Sequence, residues 1–528
     1  MRRARQVSAL LFGLVIVLNA AVVGCRAAEA PVATDPVVVH TASGTVRGLV
    51  AEGHRLFAGI PYAAPPVGSL RFAAPEPAAS WPGERDATRP GPRCVQDPDA
   101  DLEHGDNSGE DCLTLNVWTP PVGKDLRPVM VWIHGGGFVN GSSDVYDASR
   151  LASRGDIVVV TVNYRLGTLG FLAHPALEAP GEVGNYGIAD QQAALRWVRD
   201  NIAAFGGDPQ RVTLAGESAG GTSVCDHLVA PGSAGLFDAV VLMSAPCQVQ
   251  ADLPTAEQRS VAYAAEAGCP DPASAGDCLR ALPVDRLRKP VWYFNIGSDQ
   301  MTTPVTGTAM LPRAPLRSLG EAPDVPVLIG TTRDEFTLFV ALRYLRQDQR
   351  FTPEEYPELL RQTFGADADA VGAHYPLERY GGAAQAYSAA VTDSAFSCVA
   401  EQMADELPGT VYAYEFADRD APAPEVMRTL PFPVGASHSL ELRYLFDVGG
   451  APPLNPRQQA LADQMIGYWS QFVRTGDPAA EDQPEWPAYS ASESSGRQWM
   501  SLRPDGSRMA SDFGEEHQCP FWVGLKEK

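Results

Sequence analysis

Basic side chains are scarce in this chain of 528 residues: 41 Lys and Arg stand against 64 Asp and Glu, a formal net charge of −23. After Arg2, Arg3 and Arg5 there is no Lys/Arg-rich run, which argues against nucleic acid or an anionic membrane surface as a partner. No C-x-x-C pair occurs, so zinc-ribbon and dithiol redox readings have little to stand on. The carboxylates Asp97, Asp99, Asp101, Glu103, Asp106, Glu110 and Asp111 lack EF-hand spacing. They read as a solvated acidic loop rather than a calcium loop. No repeat with a period of about 20–50 residues is visible. Beyond the N-terminus no apolar run is long enough to cross a bilayer.

What the N-terminus does carry is a processing signal. Arg2, Arg3 and Arg5 form a basic start, Leu10 to Leu18 an apolar stretch, and small residues follow. Val22-Val23-Gly24-Cys25 resembles a bacterial lipobox, in which Cys25 becomes the lipidated first residue. Ala28-Glu29-Ala30 offers a rival cleavage site for free secretion, and an uncleaved anchor is the third reading. The expected organisation is a signal peptide over 1–24, a Pro/Ala/Thr-rich tether over 25–36 and one large domain over 37–528. Membrane contact is then expected only through the N-terminal lipid or signal. Setting Cys25 aside leaves eight cysteines, enough for four bridges in an oxidising compartment. Spacing favours Cys94–Cys112, Cys225–Cys247 and Cys269–Cys278, leaving Cys398 and Cys519 for each other, although spacing alone does not fix connectivity.

The body of the chain alternates strand and helix signals. Val37 to Val50 reads as an opening hairpin turning at Ser43-Gly44, and Phe57 to Trp81 as ordered loop. Short apolar or β-branched runs follow at Leu113–Trp118, Pro128–Ile133, Ile157–Asn163, Val212–Leu214, Val240–Ser244, Val325–Ile329 and Val411–Phe416. Between them lie helical stretches such as Gln191 to Phe205, with Leu195, Val198 and Ile202 on one face and Gly206-Gly207 as a stop. The pattern predicts an α/β fold: a central, mostly parallel, twisted sheet with helices on both faces. Residues 250–320 and 340–400 lack strand rhythm and are expected as helical insertions over the sheet's carboxyl edge.

One stretch carries chemistry. The strand Val212–Ala215 runs into Gly216-Glu217-Ser218-Ala219-Gly220, a G-x-S-x-G elbow, and a helix is expected from Ala219 to Leu228. Such a turn exposes the serine hydroxyl at a sheet's carboxyl end and aims the next N–H at a developing oxyanion. Acyl transfer also needs a base, an acid to orient it and further donors. His104, His134, His174, His227, His374, His438 and His517 are the candidate bases. His438 is favoured, because it sits in the loop Gly435–Glu441 and completes the chain order serine, acid, histidine. His134, before Gly135-Gly136-Gly137, is expected to support that loop. Asp334 or Glu335, after Val325–Ile329, serves as the acid. The three glycines after a buried strand offer consecutive N–H groups.

These motifs, with Phe57-Ala58-Gly59-Ile60-Pro61-Tyr62-Ala63, Glu110-Asp111-Cys112-Leu113-Thr114-Leu115-Asn116-Val117, Asn163-Tyr164-Arg165, Gly184-Asn185-Tyr186-Gly187 and Phe205-Gly206-Gly207-Asp208-Pro209, resemble the type-B carboxylesterases of the α/β-hydrolase fold. The resemblance covers about residues 37–525 and implies a serine carboxylesterase acting on small-molecule esters, with no cofactor or metal. It implies Ser218 as nucleophile, Glu335 rather than Asp334 as acid, His438 as base, and Gly136, Gly137 and Ala219 as oxyanion donors. It also implies the bridges Cys94–Cys112 and Cys269–Cys278 and the ion pairs Arg71–Glu110 and Arg165–Asp190. Two departures stand out. Val95 to Asp111 holds no Phe, Trp or Tyr, which removes the stacking partner a choline ester needs. Thr332 stands where many relatives carry Asn or Ser. The rival readings are a carbamate, thioester or aromatic-ester specialist, a lipase with a lid over 340–350, and a non-catalytic adhesion member. Oligomeric state is not legible.

Overall fold

A computed structural model of the chain describes residues 37–98, 107–177, 183–288, 302–481, 483–491 and 497–526. The signal segment, Cys25, the tether, His104 and much of the acidic loop lie outside the described residues. A single sheet of eleven strands dominates. In chain order these are β1 Leu49–Ala51, β2 His54–Pro61, β3 Thr114–Thr119, β4 Arg127–Ile133, β5 Val158–Val162, β6 Gly207–Glu217, β7 Ala239–Met243, β8 Val327–Thr332, β9 Val411–Phe416, β10 Trp499–Leu502 and β11 Arg508–Ala510. Their order across the sheet is β11-β10-β9-β8-β7-β6-β4-β5-β3-β2-β1. The pairs from β5 through β10 are parallel, and the strands at the two edges are antiparallel.

Alternation along β4 shows why the sheet needs cover on both faces. Val129, Val131 and Ile133 pack into one core with Leu195, Val198 and Ile202, whereas Met130 and Trp132 pack into the other with Met465 and Trp469. The first face is covered by helix α1, Tyr186–Asn201, and by α2, Ala219–Val229. The second is covered by α3, Pro456–Thr475. Helix α3 starts at Asn455, whose side chain accepts from the Arg457 and Gln458 N–H groups, with Gln458 returning a bond to the Asn455 N–H. Pro456 fills its first turn, where no donor is needed, and Gly476 ends it at φ +76°.

The expected strands and the insertions are present, with shifted ends. The hairpin forms between Val38–Thr41 and Gly44–Arg47. The reading of Phe57 onward as loop is corrected, because β2 runs through Pro61. Its pairing with β3 slips between Phe57 and Ile60, around Gly59 at φ +68°. That bulge breaks the period-two signal and hides the strand from the sequence. β10 and β11 were also unforeseen, being only four and three residues long. All four disulfides pair as expected: Cys94–Cys112, Cys225–Cys247, Cys269–Cys278 and Cys398–Cys519. Among the described residues no helix is long and apolar enough to cross a membrane.

Candidate active site

The elbow forms as the sequence requires. Ser218 ends β6 and caps α2 at φ +55°, ψ −121°, a strained conformation for a non-glycine residue that costs about 1–3 kcal/mol. Its N–H donates to Met243 O at 2.9 Å, which ties the turn to β7. A side chain at residue 220 would meet Ile133 O at 2.0 Å, so only glycine lets the end of β4 lie against the start of α2. The loop after β4 therefore reaches the serine: a Cβ on Gly135 would sit 3.0 Å from Ser218 Cβ. Gly136 lies at φ +101°, where a Cβ would strike Asn140 O at 2.2 Å. No acceptor among the described residues takes the Gly136 or Gly137 N–H. Ala219 is the first residue of α2, so its N–H has no partner within the helix.

His438 and Glu335 come together across 103 residues of chain. His438 Nδ1 lies 2.5 Å from Glu335 Oε2, and both side chains are buried. Glu335 Oε1 accepts the Thr332 N–H at 2.7 Å. Backbone alone does this, so a threonine at 332 is no obstacle. Phe339 and Phe396 flank the imidazole at 5.4 and 5.3 Å between ring centroids. Phe396 sits in the π turn Asp393–Ser397. His438 Nε2 has no hydrogen-bond partner among the described residues; it lies 3.2 Å from Glu217 Oε1, the residue just before Ser218. The imidazole thus meets the elbow through Glu217, without a hydrogen bond to the Ser218 hydroxyl.

Two glutamates that sequence reasoning passed over complete the site. Glu217, the variable letter of G-x-S-x-G, is 2% exposed and accepts from Ser439 Oγ at 2.6 Å. Glu441, three residues after His438, is 1% exposed, and neither of its carboxylate oxygens has a hydrogen-bond partner among the described residues. Burial, then the charges of Glu217 and Glu335, push the Glu441 carboxyl well above the usual carboxylate range, which favours its protonated form. Burial also raises Glu217, opposed by His438 and Ser439. For His438, burial alone would lower the pKa, but the facing carboxylates, Glu217 first and Glu335 next, outweigh it and push the imidazole up to about 9.

The remaining candidates have other places. Asp334 turns away from the imidazole: its Oδ2 accepts the Ala436 N–H at 2.9 Å, and Arg419 forks onto both its oxygens at 2.7 and 2.9 Å. It ties the acid's loop to the histidine's loop. His134 supports the glycine loop, with Nδ1 2.8 Å from Gly135 O and its ring stacked on Tyr164. His227 is buried between Ser233 and Gln191, His174 bonds the Ala176 N–H, and His374 stacks on Phe521. His517 is locked between Asp393 and Glu415. The ion pairs Arg71–Glu110 and Arg165–Asp190 both form, each with two bonds of 2.7 or 2.8 Å. Among the described residues no group of three His, Cys, Asp or Glu is arranged to hold a metal ion.

Residues 35–522 match the carboxylesterase family. The chain belongs to the carboxylesterase family. It is 36% identical to the phenmedipham hydrolase of Pseudarthrobacter oxydans over 513 residues, 90% of this chain and 97% of that protein. It is 34% identical to the cocaine esterase of Oryctolagus cuniculus over 499 residues, 85% of this chain and 90% of that one. A solved thermophilic PNB esterase superposes with a TM-score of 0.77 at 31% identity, covering 92% of this chain and all of its own. The fold is therefore an α/β-hydrolase, and this carboxylesterase is a carboxylic ester hydrolase acting on small-molecule esters.

Proposed function

We propose that this carboxylesterase works through an acyl-enzyme on Ser218, with His438 as general base and Glu335 holding the imidazole. The Ser218 hydroxyl attacks the ester carbonyl while His438 Nε2 takes its proton. The Gly136, Gly137 and Ala219 N–H groups receive the oxyanion, each worth roughly 3–4 kcal/mol. His438 then protonates the departing alcohol, and water repeats the sequence to free the acid. Glu335 stays ionised, fixes the tautomer with its Nδ1 contact and stabilises the imidazolium. The observation that carries the reading is the 2.5 Å contact of His438 Nδ1 with Glu335, which leaves Nε2 free beside the elbow. Closure of the Ser218 hydroxyl onto Nε2 in the Michaelis complex completes the relay, since catalytic hydrogen bonds tighten there.

The substrates are proposed to be uncharged carboxylic esters rather than choline esters, given the aromatic-free acidic segment. We also propose export with a lipid on Cys25; four disulfides suit an oxidising compartment. The decisive experiment is Ser218→Ala. The variant should fold with unchanged melting temperature, lose hydrolysis of a short p-nitrophenyl ester, and no longer react with a fluorophosphonate probe. Turnover retained by that variant would defeat the assignment.

A further inference from the structure

A second concave site lies at the far edge of the sheet, where β8, β9 and β10 end and β11 begins. It is a cavity of about 520 Å³ into which four arginines project: Arg333, Arg419, Arg503 and Arg508. Two of them are already neutralised. Arg333 pairs with Glu415 at 3.0 Å and with Glu516 at 2.6 Å, and Arg419 forks onto Asp334. The other two are not. Arg503 bonds only the Ser501 hydroxyl at 2.7 Å through its side chain, and the exposed Arg508 side chain has no hydrogen-bond or ion-pair partner among the described residues. The pairing of β10 with β11 sets Ser501 opposite Arg508, and Arg503 lies two residues on from Ser501. The register therefore brings both unpaired guanidiniums to one wall.

The cavity's carboxylates do not cancel them. Glu415 is shared between Arg333 and His517, and Glu516 is held by Arg333. Asp512 lines the cavity but is exposed to solvent. With Asp334 included, four carboxylates match the four arginines in number, but none bonds Arg503 or Arg508, so the unpaired positive charge is local to that wall. Like-charged arginines without carboxylate partners repel, and a planar fork of donors suits a carboxylate or phosphate held in two bonds. We propose that this cavity binds a compact oxyanion carrying two or more negative charges, such as a phosphate or a polycarboxylate. The Arg419–Asp334 pair links it to the loop that carries Glu335. The proposal does not depend on how the ester is cleaved.

Calorimetric titration of the whole protein at low ionic strength tests it, with inorganic phosphate in one arm and citrate in the other. At least one should bind at a single site with a dissociation constant below about 1 mM. Binding in the phosphate arm alone identifies a tetrahedral oxyanion, and in the citrate arm alone a polycarboxylate. The double variant R503A/R508A removes two side chains outside the core, so its melting temperature and basal esterase rate should not change. Its affinity should fall at least about tenfold, the loss expected for charge-assisted bonds. No saturable binding in either arm, or equal binding by the double variant, overturns the proposal.

Discussion

Glu217→Gln offers the sharpest test of the buried carboxylates. The substitution keeps shape and the acceptor for Ser439 Oγ, and removes one negative charge 3.2 Å from His438 Nε2. With bulk-water screening that charge contributes about 1.3 kcal/mol to holding the imidazolium, or about one pH unit. An effective dielectric of 20 gives about 5 kcal/mol as a ceiling, reduced because burial raises the Glu217 carboxyl and so disfavours its anion. A histidine raised to about 9 is mostly imidazolium at neutral pH and cannot accept the serine's proton until it deprotonates. The acid limb of kcat/KM, which reports the free enzyme, should lie well to the alkaline side of an ordinary histidine. In Glu217→Gln that limb should move to lower pH by at least about one unit. Glu441→Gln is the built-in control. Its carboxyl is pushed towards the neutral form and it is the last of the three carboxylates to act on His438, so the limb should move less than in Glu217→Gln. A pH–rate profile of each variant on a p-nitrophenyl ester decides. An unmoved limb in Glu217→Gln, or an equal shift in both variants, would refute the electrostatic argument.

Two further outcomes concern the body of the enzyme. His517, buried between Asp393 and Glu415, would be lowered by burial, but those carboxylates push it up to about 10. A raised base stabilises fully below its unfolded value of about 6.5 and loses that contribution as pH climbs towards about 10. His517→Gln should therefore cost about 3–5 kcal/mol near pH 6 and much less near pH 10, read from urea midpoints; equal costs would contradict the ion-pair account. The Cys398–Cys519 bridge spans a separation of 121 residues, the longest of the four. Replacing both cysteines by serine should lower stability by about 4–5 kcal/mol, against about 3 for the 18-residue bridge Cys94–Cys112, measured by thermal melts.

The residues legible in the sequence are those whose chemistry constrains their neighbours. A serine at φ +55° between a strand and a helix needs the small residues around it, so Gly216–Gly220 announces itself. Three glycines after a buried strand do the same. His438 was found by chain order, and Glu335 only by family resemblance, since Asp334 beside it has the same chemistry. What separates the two is orientation. Arg419 and the Ala436 N–H claim Asp334, while the Thr332 N–H holds Glu335 facing the imidazole. Arg419 and Ala436 are 85 and 102 residues from Asp334, and the nearby Thr332 contributes only a backbone N–H that any residue would offer, so none of them leaves a pattern. β2 was lost to its bulge at Gly59, and β10 and β11 to their brevity.

Glu217 and Glu441 were missed for a deeper reason. A glutamate is ordinarily a surface residue, and nothing in the string of letters marks these two as buried. Glu217 ends β6 and Glu441 follows the histidine's loop, and the fold buries both beside an imidazole whose acid, Glu335, comes from a third part of the chain. Their chemistry then follows from placement alone. One glutamate, bonded by Ser439 and facing the imidazole, is partly stabilised as an anion. The other, three residues past His438 and with no hydrogen-bond partner for its carboxylate oxygens among the described residues, is pushed much further towards its protonated form. The same side chain is held nearer its charged form in one position and nearer its neutral form in the other, so its contribution to the pH profile is a property of the fold rather than of the residue type.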